Sequence, residues 1–144
     1  MAKGDLHAVI RLTKREVDEL RRQLGECLRE EQALMDQDRA LDAALVRESR
    51  VADAEPAAAV TFANYLAVHR QRKQEVAEGL AAVRARIEAL REALADVYRR
   101  RKTYELAQEA RDGRAAEERA RKEQAVLDEV ALTTYRRRRL ENDG

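Results

Sequence analysis

The chain has 144 residues, 40% of them charged and 3% aromatic, with one proline, five glycines and no tryptophan. So few strand formers and turn residues exclude a β-sandwich or barrel, and the charge density excludes a thick globular core. A net charge of +1, from 29 basic and 28 acidic residues, excludes a general nucleic-acid binder. The 44% of apolar residues is too many for a disordered chain and fits long helices in a coiled coil.

The first segment is predicted helical from about residue 5 to residue 53. Its apolar residues follow a 3-4 spacing in two rows. One row is Leu6, Thr13, Leu20, Cys27, Leu34, Leu41 and Glu48. The other is Ile10, Val17, Leu24, Glu31, Asp38, Leu45 and Ala52. Ten of these fourteen positions are apolar. Leu28 and Met35 suggest a local shift of the stripe. Glu31, Asp38 and Glu48 are polar where the seam should be apolar, and either set the register, lie exposed at its edge or belong to a docking surface.

A loop is predicted over about residues 54–61, because Pro56 cannot sit inside a helix without removing a backbone hydrogen bond. Asp53 or Thr61 could cap the helix that follows. A second helix is predicted from about 61 to 140. Val76, Leu80, Val83, Ile87, Leu90, Leu94 and Val97 form an unbroken 4-3 row, the mark of a coiled-coil seam. Phe62 and Leu66 extend it backwards and Tyr104 forwards. Beyond Leu106 the stripe fades. A short apolar patch returns at Val126, Leu127, Val130, Leu132 and Tyr135, followed by Arg136, Arg137, Arg138 and Arg139.

The fold predicted is therefore all-α: a single coiled-coil domain, a two-helix antiparallel hairpin with a longer second helix. If the arms fold back at the loop, facing residue numbers sum to roughly 117. Leu41 then meets Val76, Leu34 meets Val83, Cys27 meets Leu90 and Leu20 meets Val97. The first arm ends near Leu6, opposite Gln108–Arg111, where the second arm loses its stripe. A homodimeric coiled-coil scaffold, paired through the second helix, is the competing architecture. At about 1.5 Å per residue the helices would be roughly 70 and 120 Å long, with the second overhanging the first.

Candidate chemistry is sparse. There is no Gly-rich phosphate loop, nucleophile motif or His/Cys cluster, so no catalytic residue, cofactor or metal is expected. His7 and His69 read as isolated side chains, and Cys27 as a small buried thiol that cannot form an internal disulfide. No run of about 18 apolar residues would cross a membrane, and no signal peptide is apparent, so a cytoplasmic protein is expected. The two basic clusters, Arg99–Lys102 and Arg136–Arg139, are either solvated or meet an acidic partner. The first arm to Pro56 carries a net −3 and the remainder a net +4.

Particular motifs carry a resemblance. Arg15-Glu16-Val17-Asp18 with Leu24-Gly25-Glu26 resembles the first helix of the flagellar type III export protein family FliJ. Asn64-Tyr65-Leu66 resembles the opening of that family's second helix. Glu118-Arg119, Lys122-Glu123-Gln124, Leu127-Asp128-Glu129 and the arginines resemble its C-terminal region. The likeness spans nearly the whole chain, and injectisome stalk proteins share the architecture.

The resemblance implies a non-enzymatic stalk, monomeric alone and peripheral at the inner-membrane export apparatus. Its paired termini would enter the hexameric export ATPase and promote ring assembly. Its loop-proximal half would reach the membrane export gate, and it would assist export chaperones. Neither nucleic acid nor direct membrane insertion is implied. Carried over by motif, the gate contacts are Gln37, Leu41 and Val68. Other positions of that patch fall on Ala44, Glu48, Arg72, Glu75 and Gly79, where the family's chemistry is lost. The expected ATPase-facing residues are Val126, Leu127, Val130, Tyr135 and Arg136 to Arg139, since a solitary helix has no structural need of an apolar patch.

Overall fold

The computed structural model describes residues 5–144. Among the described residues there are two α-helices, α1 (His7–Ala54) and α2 (Ala59–Asn142), joined by a 3₁₀ turn at Pro56–Ala58. Both are rich in Ala, Leu, Arg and Glu, the residues that lose least on entering a helix. Gly113 lies inside α2 without interrupting it.

Pro56 makes the break between the helices, and makes it tight. The ring of a proline disfavours helical angles in the residue before it. Glu55 is accordingly extended, at φ −128° and ψ 108°. The helix resumes through backbone bonds alone: the Ala58 N–H donates to the Glu55 carbonyl at 3.0 Å, and the Ala59 N–H to Pro56. Neither Asp53 nor Thr61 caps the second helix as expected. Asp53 lies within α1 and Thr61 within α2, because the proline turn starts the new helix two residues before Thr61.

The chain divides into two compact units. One is Thr13–Arg99; the other combines Met1–Leu12 with Arg100–Gly144. In the first unit α1 and α2 run antiparallel about a narrow seam. Val17, Leu94 and Val97 are buried together, with Leu20 and Leu24 against them. Nearer the turn, Cys27, Val83 and Ile87 form a second cluster, packed by Leu24, Leu34 and Leu90. The expected partners Leu34 and Val83, Cys27 and Leu90, and Leu20 and Val97 thus share clusters. The helices come close at Gly79, where an added Cβ would stand 3.4 Å from a methyl of Leu34.

Two of the polar seam residues pair across the hairpin. The Lys73 ammonium bonds Asp38 at 2.7 Å and Asp42 at 2.8 Å, and Arg84 donates to Glu31 at 3.0 Å. These pairs give Glu31 and Asp38 partners on the opposite helix, where they would otherwise interrupt an apolar seam. Glu48 is exposed and makes no such pair. At the other end of the unit, Arg21 donates to the Tyr98 hydroxyl at 2.6 Å and lies 5.7 Å from its ring centre.

In the second unit the start of α1 is fastened to α2. Asp5 caps α1 by accepting the His7 N–H at 2.9 Å. The Leu6 N–H, which no helical carbonyl can reach, donates to the Gln108 side chain at 2.8 Å. Gln108 is itself buried and donates on to Asp112 at 3.0 Å. Leu6 therefore does meet the Gln108 region of the second arm.

Candidate partner-binding surfaces

The loop-proximal candidates belong to the Thr13–Arg99 unit. Gln37 is exposed, Leu41 half-buried and Val68 half-exposed. They do not form one cluster. Lys73 bonds Asp38 and Asp42, which places Leu41, between them, and Gln37, next to Asp38, near the level of Lys73. Val68 lies five residues nearer the turn, about 7 Å along α2. Leu41 faces the seam more than solvent, which leaves Gln37 and Val68 as the accessible members. Gly79, at another position of the same patch, packs on Leu34, and Glu75 accepts a bond from Gln71 at 3.2 Å.

The electrostatics of this unit are local. Lys73 is held above its ordinary value, chiefly by the hydrogen bond to Asp38 and then by that to Asp42. Glu19 is lowered to about 2 by the Arg22 guanidinium, which bonds it at 2.7 Å and also reaches Glu26. Glu19 and Arg22 are exposed and Lys73 and Asp38 half-buried, and pairs open to solvent contribute little to stability.

Phe62, Tyr65 and His69, which the sequence left as separate residues, come together near the turn. His69 is buried at a seam position, and its Nδ1 has no hydrogen-bond partner. Its ring lies 6.0 Å from Tyr65, which lies 6.2 Å from Phe62, so three rings climb one side of α2. Val51, Ala52, Phe62, Tyr65 and Glu48 line a cleft of about 240 Å³ between the helix ends. The i,i+3 and i,i+4 spacing of Phe62, Tyr65 and His69 was the available signal.

The second candidate surface lies in the other unit. Every residue from Asp112 to Gly144 is exposed. Val126, Leu127, Val130 and Tyr135 are each 57–62% exposed, and Leu140 is 74% exposed. Thr133 and Thr134 turn their hydroxyls back to the Glu129 and Val130 carbonyls, both at 2.9 Å, leaving the surface to its apolar and cationic neighbours. The four arginines are consecutive in a helix that advances by about 100° per residue, so they point to all sides. The apolar residues are likewise distributed: Val126, Leu127 and Val130 share one side, while Leu132 and Tyr135 lie on the opposite one. The sequence suggested one patch; helical geometry makes it a collar.

A profile of the flagellar FliJ protein family matches residues 2–140. The match covers nearly the whole chain, both helices and the turn included.

The chain belongs to the flagellar FliJ family.

No curated protein and no solved structure matches it. The FliJ match extends through the exposed end of α2 as far as the last of its leucines. Among the described residues of this FliJ-family chain no cluster of His, Cys, Asp or Glu could hold a metal. Among the described residues no helix is long and apolar enough to cross a membrane.

Proposed function

We propose that this chain is the non-enzymatic stalk of the flagellar export ATPase, its exposed α2 end entering the hexameric ring and its turn end directed at the export gate. Family membership supports the coarser statement, a component associated with flagellar export. The finer reading rests on one observation. The end of α2 is exposed on every side and presents apolar and cationic side chains all round its axis.

A helix that docks on a flat surface needs one apolar stripe and keeps its other faces polar. A helix enclosed by a ring meets protein in every direction. Four arginines at successive 100° steps suit a channel with acidic groups around its wall, and Val126, Leu127, Val130, Leu132 and Tyr135 suit its apolar lining. The chain contributes shape and charge to the ring; the ATPase supplies the chemistry. Promotion of ring assembly follows from such a shared axis, because one stalk contacting several subunits links them. Export chaperones are a further proposed partner, and the protein is monomeric by itself, cytoplasmic and peripheral to the membrane.

The test is ATPase turnover with and without this protein, using full-length chain and a chain lacking residues 126–144. The full chain should stimulate turnover and sediment alone as a monomer. The truncated chain should melt like the full one and fail to stimulate. Full stimulation by the truncated protein would reject the placement of the tail.

A further inference from the structure

Three glycines lie within α1 and α2, and two of them have close neighbours. A Cβ at Gly79 would stand 3.4 Å from Leu34, and one at Gly25 would stand 3.5 Å from the Arg29 guanidinium. A Cβ at Gly113 would meet nothing within 4 Å. No close approach therefore calls for glycine at 113. Yet the site is well inside a helix, where glycine is the least favourable residue after proline. Alanine, the best helix former, would fit there without displacing anything.

The position of this glycine is equally particular. The contact that fastens the start of α1 to α2 runs from the Leu6 N–H to Gln108, which donates on to Asp112, the residue before Gly113. From Asp112 to Gly144 every residue is exposed, so α1 braces none of them. Gly79, by contrast, lies against Leu34 of the opposing helix, which holds α2 straight across it. Beyond Gly113 the helix runs on for roughly 30 residues, well past the ~12–15 at which an isolated helix is marginal. Lys122 pairs with Glu118 at 3.5 Å and Gln124 donates to Asp128 at 2.9 Å, both i,i+4 ties that support a helix without a partner. Both sides of Gly113 are thus supported as helices, and the weak point lies between them.

We propose that Gly113 is a hinge, at which the uncovered end of α2 swings as a helix relative to the segment fastened by Leu6. A stiff helix of this length would carry any sideways pull on its end back to the Leu6–Gln108 contact as bending. A hinge directly beyond that contact lets a partner that grips the tail change the tail's direction while the contact stays closed. The inference goes beyond the stalk reading and holds whatever partner the tail meets.

The test measures distances between two nitroxide labels by pulsed electron spin resonance, on the full chain in a Cys27→Ser background. Labels at Lys102→Cys and Glu123→Cys straddle Gly113, about 31 Å apart along a straight helix. Labels at Glu75→Cys and Asp96→Cys, equally separated in the part of α2 that pairs with α1, give the reference width. All four positions are exposed. The pair across Gly113 should give a distribution at least twice as broad as the reference, extended toward shorter distances. Gly113→Ala, which meets open space and keeps the fold, should remove most of that excess. Adding Glu117→Gly, at another exposed position, should restore it. Deleting residues 114–142 should lower the helical circular dichroism signal in proportion to their number, because the swinging end is itself helical. A wild-type distribution as narrow as the reference would overturn the hinge. So would a breadth that Gly113→Ala leaves unchanged, since the bending would then be spread along the tail. A deletion that leaves the helical signal unaltered would show an unfolded tail, and would overturn it as well.

Discussion

Replacing Ile87 by Ala tests the seam at its most informative point. Ile87 is 4% exposed and lies between Cys27 and Val83, with Leu24, Leu34 and Leu90 around them. The substitution removes three carbons from a dry cluster. At about 0.8 kcal/mol per buried methylene, the transfer loss alone is roughly 2 kcal/mol. The residual cavity adds to this, but a two-helix seam is open at its sides and collapses more readily than a globular core, so the low end of the usual range of about 2–5 kcal/mol applies. Alanine returns a few tenths of a kcal/mol through better helix propensity. The expected net loss is about 2 kcal/mol, read as a lower urea midpoint by circular dichroism at 222 nm. Val130→Ala, at a site 57% exposed, should stay within about 0.5 kcal/mol. Because the cluster is built from one chain, both midpoints should be independent of protein concentration. A loss below about 0.5 kcal/mol for Ile87→Ala, or a midpoint that rises with concentration, would refute an intramolecular seam through this residue.

Two further predictions concern register and charge. Cysteines at Leu34 and Val83 in a Cys27→Ser background should crosslink within one chain under mild oxidation, since both residues pack in the same cluster; exclusively intermolecular product on a non-reducing gel would contradict the hairpin. Lys73 has its folded value raised by Asp38 and Asp42, so its contribution is complete below its ordinary value of 10.5 and disappears as pH rises through the higher folded value. Melting temperature should therefore fall across that alkaline window more steeply for the wild type than for Lys73→Met, and parallel curves would show the clamp to be energetically silent.

Much of the architecture was legible because a seam repeating every 3.5 residues encodes helix, face and partner together. Val76 to Val97 without a miss specifies a coiled coil, Pro56 specifies where the chain turns, and the fading of the stripe beyond Leu106 marks where the first arm ends. These are local properties, expressed by side-chain period and backbone sterics, and they require no knowledge of what lies opposite. The order of motifs from Arg15 to Arg139 likewise sufficed to suggest the FliJ family.

What depended on tertiary structure is whatever two distant segments do to each other. Glu31 and Asp38 were ambiguous in the sequence, and only the approach of Arg84 and Lys73 from α2 shows them paired across the hairpin. Gln108 looked like one more polar helix residue until the Leu6 N–H needed an acceptor. His69 was an isolated histidine until Tyr65 stacked on it in the seam, and the cleft at the turn exists only because the ends of α1 and α2 converge there. Val126 to Arg139 illustrate the opposite case. Their composition was plain from the sequence, but whether α1 covers them is a property of the folded chain, and it does not. Periodicity tells a residue which face it occupies. Only the partner's position decides whether that face is core, clamp or surface.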